Sequence, residues 1–66
     1  MEYYILTENS KIIGVFPSFL ECLSWKSNRP LEEPIQVQRV RLTETGEFKI
    51  QIIGINKDIY NSEYGK

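Results

Sequence analysis

Arg39, Arg41 and Lys49 are the residues of this chain best suited to chemistry, with Gln51 completing the set. Side chains of an extended backbone alternate sides, so Arg39 and Arg41 share one face of their segment and Lys49 and Gln51 share one face of theirs. If the two segments pair as a hairpin, Arg41 stands opposite Lys49, and like charges directly across a strand pair repel. Guanidinium groups grip carboxylates and phosphates through paired hydrogen bonds. The set therefore suits an acidic protein surface. Its alternatives are a nucleic-acid backbone, or a small anion such as a nucleotide held where cations of two chains meet. Without a ligand it is a solvated face, with Glu47 offsetting part of the charge. Three cations are few for nucleic acid, and the chain lacks the aromatic-and-glycine run of an RNA-recognition strand.

The other reactive residue types carry less. Cys22 has no histidine anywhere in the chain to serve as its base, so it reads as a small buried hydrophobe. One cysteine and no histidine make neither a disulfide nor a zinc site, and no cofactor or metal is expected. Glu32 and Glu33 are adjacent loop carboxylates and are assigned no chemistry. Tyr3, Tyr4, Tyr60 and Tyr64 suit core and edge packing before ligand stacking. Trp25 suits a core edge, although tryptophan also anchors many interfaces. With no group that titrates near neutrality unless strongly perturbed, the chain is not expected to be an enzyme.

A chain of 66 residues makes one domain, read here as 1–60 with a frayed tail at 61–66. A core of this size supplies only about 3–5 kcal/mol of net stability unless a disulfide, a metal or a second subunit helps. With the first two excluded, self-association is the expected help. The net charge of −1 sets up no general attraction to nucleic acid or to an anionic membrane. The first residues lack the basic region and apolar run of a signal peptide, and no stretch approaches the roughly 20 apolar residues that span a bilayer. A cytoplasmic protein with a reduced Cys22 is expected.

The elements that must position the cations are two hairpins around one short helix, a ββαββ order of α+β class. Tyr3 to Phe16 forms the first hairpin, turning at Asn9-Ser10. That loop pairs Glu8 with Lys11, Leu6 with Ile13 and Tyr4 with Val15, and it leaves both faces of the hairpin apolar. Pro17 stops the strand. Ser18 and Glu21 form a capping box, so a helix runs from there to about Ser27, burying Phe19, Leu20, Leu23 and either Cys22 or Trp25. Asn28-Arg29-Pro30 ends the helix, and Pro34 leads into the second hairpin.

Ile35 to about Asn56 forms that hairpin, with a three-residue loop Glu44-Thr45-Gly46 and glycine in the left-handed bulge position. This register sets Thr43 against Glu47, Leu42 against Phe48, Val40 against Ile50, Val37 against Ile53 and Ile35 against Ile55. The apolar residues then change side along the hairpin. Val40, Leu42, Phe48, Ile50 and Ile52 share one face near the tip, and Ile35, Val37, Ile53 and Ile55 share the other near the base. Either a strong twist or a bulge near Gln38-Arg39 reconciles them with one core, or the base meets the helix while the tip around Val40, Leu42, Phe48 and Ile50 meets a partner. A homodimer is the default form of such a contact.

In style, a short near-neutral chain rich in Ile, Lys, Asn, Glu and Tyr resembles accessory proteins of phages and mobile elements. That resemblance implies a protein that binds and blocks another. The expected function is thus a non-enzymatic protein-binding module, an inhibitor or regulator acting by steric occlusion as a homodimer.

Overall fold

The structure, a computed structural model, describes residues 1–61, with side chains through Ile59. Strands β1 (Glu2–Glu8) and β2 (Lys11–Phe16) form the first hairpin, helix α1 (Phe19–Ser27) follows, and β3 (Ile35–Leu42) and β4 (Phe48–Ile55) form the second. A 3-10 turn over Asn56–Asn61 closes the described chain. All four strands join one antiparallel sheet in the order β2-β1-β3-β4. The expected small α+β domain of ββαββ order is what forms. The tail expected to fray lies, from residue 62 on, outside the described residues, as does Tyr64.

Local chemistry accounts for each boundary. Asn9 and Ser10 both adopt positive φ, 50° and 68°, the conformation a two-residue hairpin loop demands. At the other tip Gly46 takes φ 84°, Gly46 N donates to Thr43 O at 3.0 Å, and Thr43 N donates to Glu47 O at 2.8 Å. The Ser18 hydroxyl caps α1 by accepting from Glu21 N at 3.2 Å. Asn28 ends the helix as its C-cap. Nine residues are too few for a helix to stand alone, so α1 depends on the sheet beneath it.

The core lies between α1 and one face of the sheet. Tyr4 and Leu6 of β1 and Ile35 and Val37 of β3 meet Phe19 and Cys22 of α1, with Ile59 sealing one end. Phe16 packs on Trp25 at 5.7 Å between ring centroids, and the Arg29 guanidinium lies 4.2 Å from the Trp25 ring, so Trp25 completes a core edge as expected. Leu20 departs from expectation. It is 68% exposed, whereas Lys26 takes a buried place on the helix through its long aliphatic stem.

Two bulges shift the expected registers. In the first hairpin, Glu8 pairs with Lys11 as expected and Thr7 with Ile12, but Leu6 then pairs with Gly14 and Tyr4 with Phe16. Ile13 is the extra residue and turns toward the core. In the second, Leu42 pairs with Phe48 and Val40 with Ile50 as expected, whereas Val37 pairs with Gly54 and Gln36 with Ile55. Ile53 is the extra residue, again turned to the core. The bulge moves Ile55 off the core side, leaving it partly exposed with Ile52 rather than packed with Ile35 and Val37.

Candidate functional site

Strand alternation and the three registers assign every strand position to one of two faces. The face away from α1 takes Ile12 and Val15 from β2, and Tyr3, Ile5 and Thr7 from β1. From β3 it takes Gln36, Gln38, Val40 and Leu42, and from β4 Phe48, Ile50, Ile52 and Ile55. No acidic or basic side chain occurs among these positions, although 26% of the chain is charged. Phe48, Ile50 and Ile12 are each about two-thirds exposed, and Val15, Ile52 and Ile55 are also open to solvent. Val40 is buried, yet it stands apart from the helix-side core, flanked by Tyr3 and Ile50 across its two neighbouring strands.

The expected apolar tip of Val40, Leu42, Phe48 and Ile50 is therefore on one surface, and that surface is larger than the tip. It runs across all four strands, because the residues of the first hairpin that the helix leaves uncovered are coplanar with it. Sequence periodicity already showed both hairpins to be apolar on two sides. It could not show that the two uncovered sides join, since that follows from β1 pairing with β3. A polar corner interrupts the surface where Thr7 pairs with Gln36, next to Gln38. Thr7, Gln36 and Gln38, with Ser10 and Pro34, line a cavity of about 190 Å³ there. Asn9 N donates to Pro34 O at 2.8 Å and ties the hairpin turn to the cis Glu33–Pro34 bond beside this corner.

Arg39, Arg41, Lys49 and Gln51 occupy the opposite face, on the part of β3 and β4 beyond the reach of α1. Arg41 pairs with Lys49 across the strands, as expected, and Arg39 pairs with Gln51. With the edge of Ile50 they line a cleft of about 240 Å³. Arg39 Nη2 donates to Gln51 Oε1 at 2.7 Å. Arg41 donates from Nε and Nη2 to Glu2 Oε1, at 2.9 and 2.7 Å. Glu2, rather than the expected Glu47, is thus the carboxylate that offsets the cationic pair, because β1 lies beside β3 and sets Glu2 opposite Arg41. Glu47 stands outside this arrangement. The hydrogen bond from Arg41 holds the Glu2 carboxyl below its ordinary value, against a smaller opposing effect of desolvation.

Cys22 is fully buried, and burial pushes its thiol up to about 11, so it is protonated and shielded at neutral pH. Glu32 and Glu33 are exposed, and Glu32 N donates to Glu8 Oε2 at 2.7 Å. Among the described residues no cluster of three or more Cys, Asp or Glu residues could hold a metal ion, and no helix is long and apolar enough to cross a membrane. The chain matches no family model, no curated protein and no solved structure.

Proposed function

We propose that this chain is a non-enzymatic protein-binding module that inhibits or regulates a partner protein by steric occlusion, working in the cytoplasm as a homodimer. The uncharged apolar surface across all four strands carries the reading. A domain this small gains little from its own core, and an apolar face of several hundred Å² marks a contact surface. The basic cleft lies on the other side of the same hairpin, so self-association and target binding do not compete for one surface.

The cleft favours an acidic protein target. Arg41 already holds one carboxylate in the form of Glu2, and a target carboxylate can replace it with little rearrangement. The second reading, binding of nucleic acid or of a small anion such as a nucleotide, uses the same cations. Charge reversal separates the readings from a merely solvated face. With target protein captured on the wild-type chain, Arg41→Glu is expected to abolish capture while leaving the two-chain mass in native mass spectrometry intact. Unchanged capture by Arg41→Glu would overturn the role of the cleft.

A further inference from the structure

We infer that the occupant of the open sheet face is a second copy of this chain, stacked face to face with its twofold axis running along the strands between β1 and β3. The inference rests on the homodimeric reading above and specifies how that dimer is built.

Three properties of the face point to a second copy. The first is charge. An isologous contact sets a surface against itself, so any charged residue near the axis would meet its own like charge, and this face holds none. Even the edge strand β4 turns its only charged residue, Lys49, to the helix side.

The second property is area. Four strands at about 4.8 Å spacing and seven residues at about 3.3 Å rise give a plane of roughly 19 by 23 Å, which with side-chain relief is about 500–700 Å² per copy. Two copies then bury about 1,000–1,400 Å², enough for a specific dimer. The single-layer shape agrees. The Cα atoms extend 38 × 26 × 16 Å, the thickness of one sheet with one helix on it, and stacking two sheets about 10 Å apart gives each an inner face.

The third property is the polar corner, which selects the axis. A twofold axis along the strands sets β1 over the partner's β3 and β2 over the partner's β4, at the same level of the sheet. Thr7 then meets the partner's Gln36, and Ile12 and Val15 meet the partner's Ile55 and Ile52. The two copies' Thr7 and Gln36 side chains gather at the axis and hydrogen-bond to one another, in the space of the 190 Å³ cavity, and each Gln38, which faces the partner's Ile5, keeps its amide on Gln36 of its own chain, Nε2 donating to Oε1 at 3.5 Å. An axis across the strands instead lays this corner on the tip, setting Gln36 against the partner's Leu42, and a buried amide without a partner is costly.

The test has two parts. Sedimentation equilibrium of the wild-type chain is expected to show a dimer. Ile52→Lys and Ile12→Lys, at opposite edges of the face and both solvent-exposed in the single chain, are each expected to raise the dissociation constant at least about tenfold with an unchanged circular dichroism spectrum. Spin labels on Thr45→Cys then report the axis: the two hairpin tips lie at one end, roughly 15 Å apart at the backbone, for an axis along the strands, and roughly 40 Å apart for one across them. A wild-type monomer at 100 µM, a dimer indifferent to either lysine, or a distance near 40 Å overturns the inference. A wild-type monomer whose target capture is lost in Ile52→Lys would overturn the dimer alone and leave protein binding standing. A monomer whose capture survives in both lysine variants would remove the face from function altogether.

Discussion

Arg41 places two nitrogens on a single oxygen of Glu2, Nε at 2.9 Å and Nη2 at 2.7 Å, and so fastens the beginning of β1 to the tip half of β3. This hydrogen bond depresses the Glu2 pKa. A glutamate in the unfolded chain titrates at about 4.3. Because the folded value is the lower one, the pair contributes fully above the unfolded value and is lost as pH falls through the folded value. Thermal melts of the wild type and Glu2→Gln should therefore differ by a small constant amount above pH 5 and converge as the pH falls below the ordinary glutamate range. High salt should narrow the difference, since the pair is exposed. A constant difference down to pH 2.5 would show that the pair contributes nothing through its charge.

Gly54 lies directly beneath Ile59. A Cβ at Gly54 would come within 2.7 Å of Ile59 Cα and 2.9 Å of its Cγ1, and the first of these is a backbone atom that cannot swing aside. Gly54→Ala is expected to cost about 1–3 kcal/mol as overpacking. Ile59→Ala, which empties a fully buried site, should cost about 2–5 kcal/mol. Urea unfolding at fixed protein concentration measures both. An Ile59→Ala midpoint equal to wild type would show that the 3-10 turn adds nothing to the core.

The same pair marks where sequence reasoning stopped. Ser18 with Glu21, Asn9-Ser10 and Gly46 announced their cap and turns because each motif is local and acts through its own backbone. The tip register from Val40 to Phe48 was legible because turn chemistry and apolar pairing agreed on it. The bulge expected near Gln38-Arg39 falls beside that place, between Val37 and Gln38, with Ile53 as the extra residue, whereas the bulge at Ile13 was not legible, since a bulge is chosen by which side chain the helix can cover, and that depends on strand order. Ile59 sits in a polar stretch and becomes core only because Asn56, at φ 52°, turns the chain back and accepts from Ile35 N at 2.8 Å. Only apolarity points Leu20 to the core. The short helix presents Phe19, Cys22 and Lys26 inward, which leaves Leu20 to solvent. Of the candidate site, the cations and the apolar tip were both foreseen. Their placement on opposite faces follows from strand alternation, and Glu2 joined them only through β1–β3 pairing.

Cys22 offers a clean probe of opening. Its thiol is fully buried and its pKa is raised to about 11, so at pH 8 iodoacetamide should leave the native chain unmodified while modifying the urea-unfolded chain within minutes. The native alkylation rate should rise in Gly54→Ala in proportion to the population of opened chain. Rapid native alkylation of the wild type would mean that α1 does not stay seated on the sheet.

The proposed stacked dimer would fix how targets are bound. Stacking on the open faces turns the two helix-side faces outward, so the two basic clefts point in opposite directions and cannot both engage one flat surface. Each chain of the dimer should therefore bind its own acidic ligand, with no gain from avidity. Isothermal titration with a short polyglutamate peptide is expected to give one peptide per chain, an affinity that weakens several-fold between 50 and 200 mM salt, and loss of binding in Lys49→Glu. One peptide per dimer would place both clefts on a common side and contradict face-to-face stacking. A short DNA duplex, titrated in parallel, should bind more weakly than the peptide. Tighter binding of the duplex, with a steep salt slope, would move the function to nucleic acid.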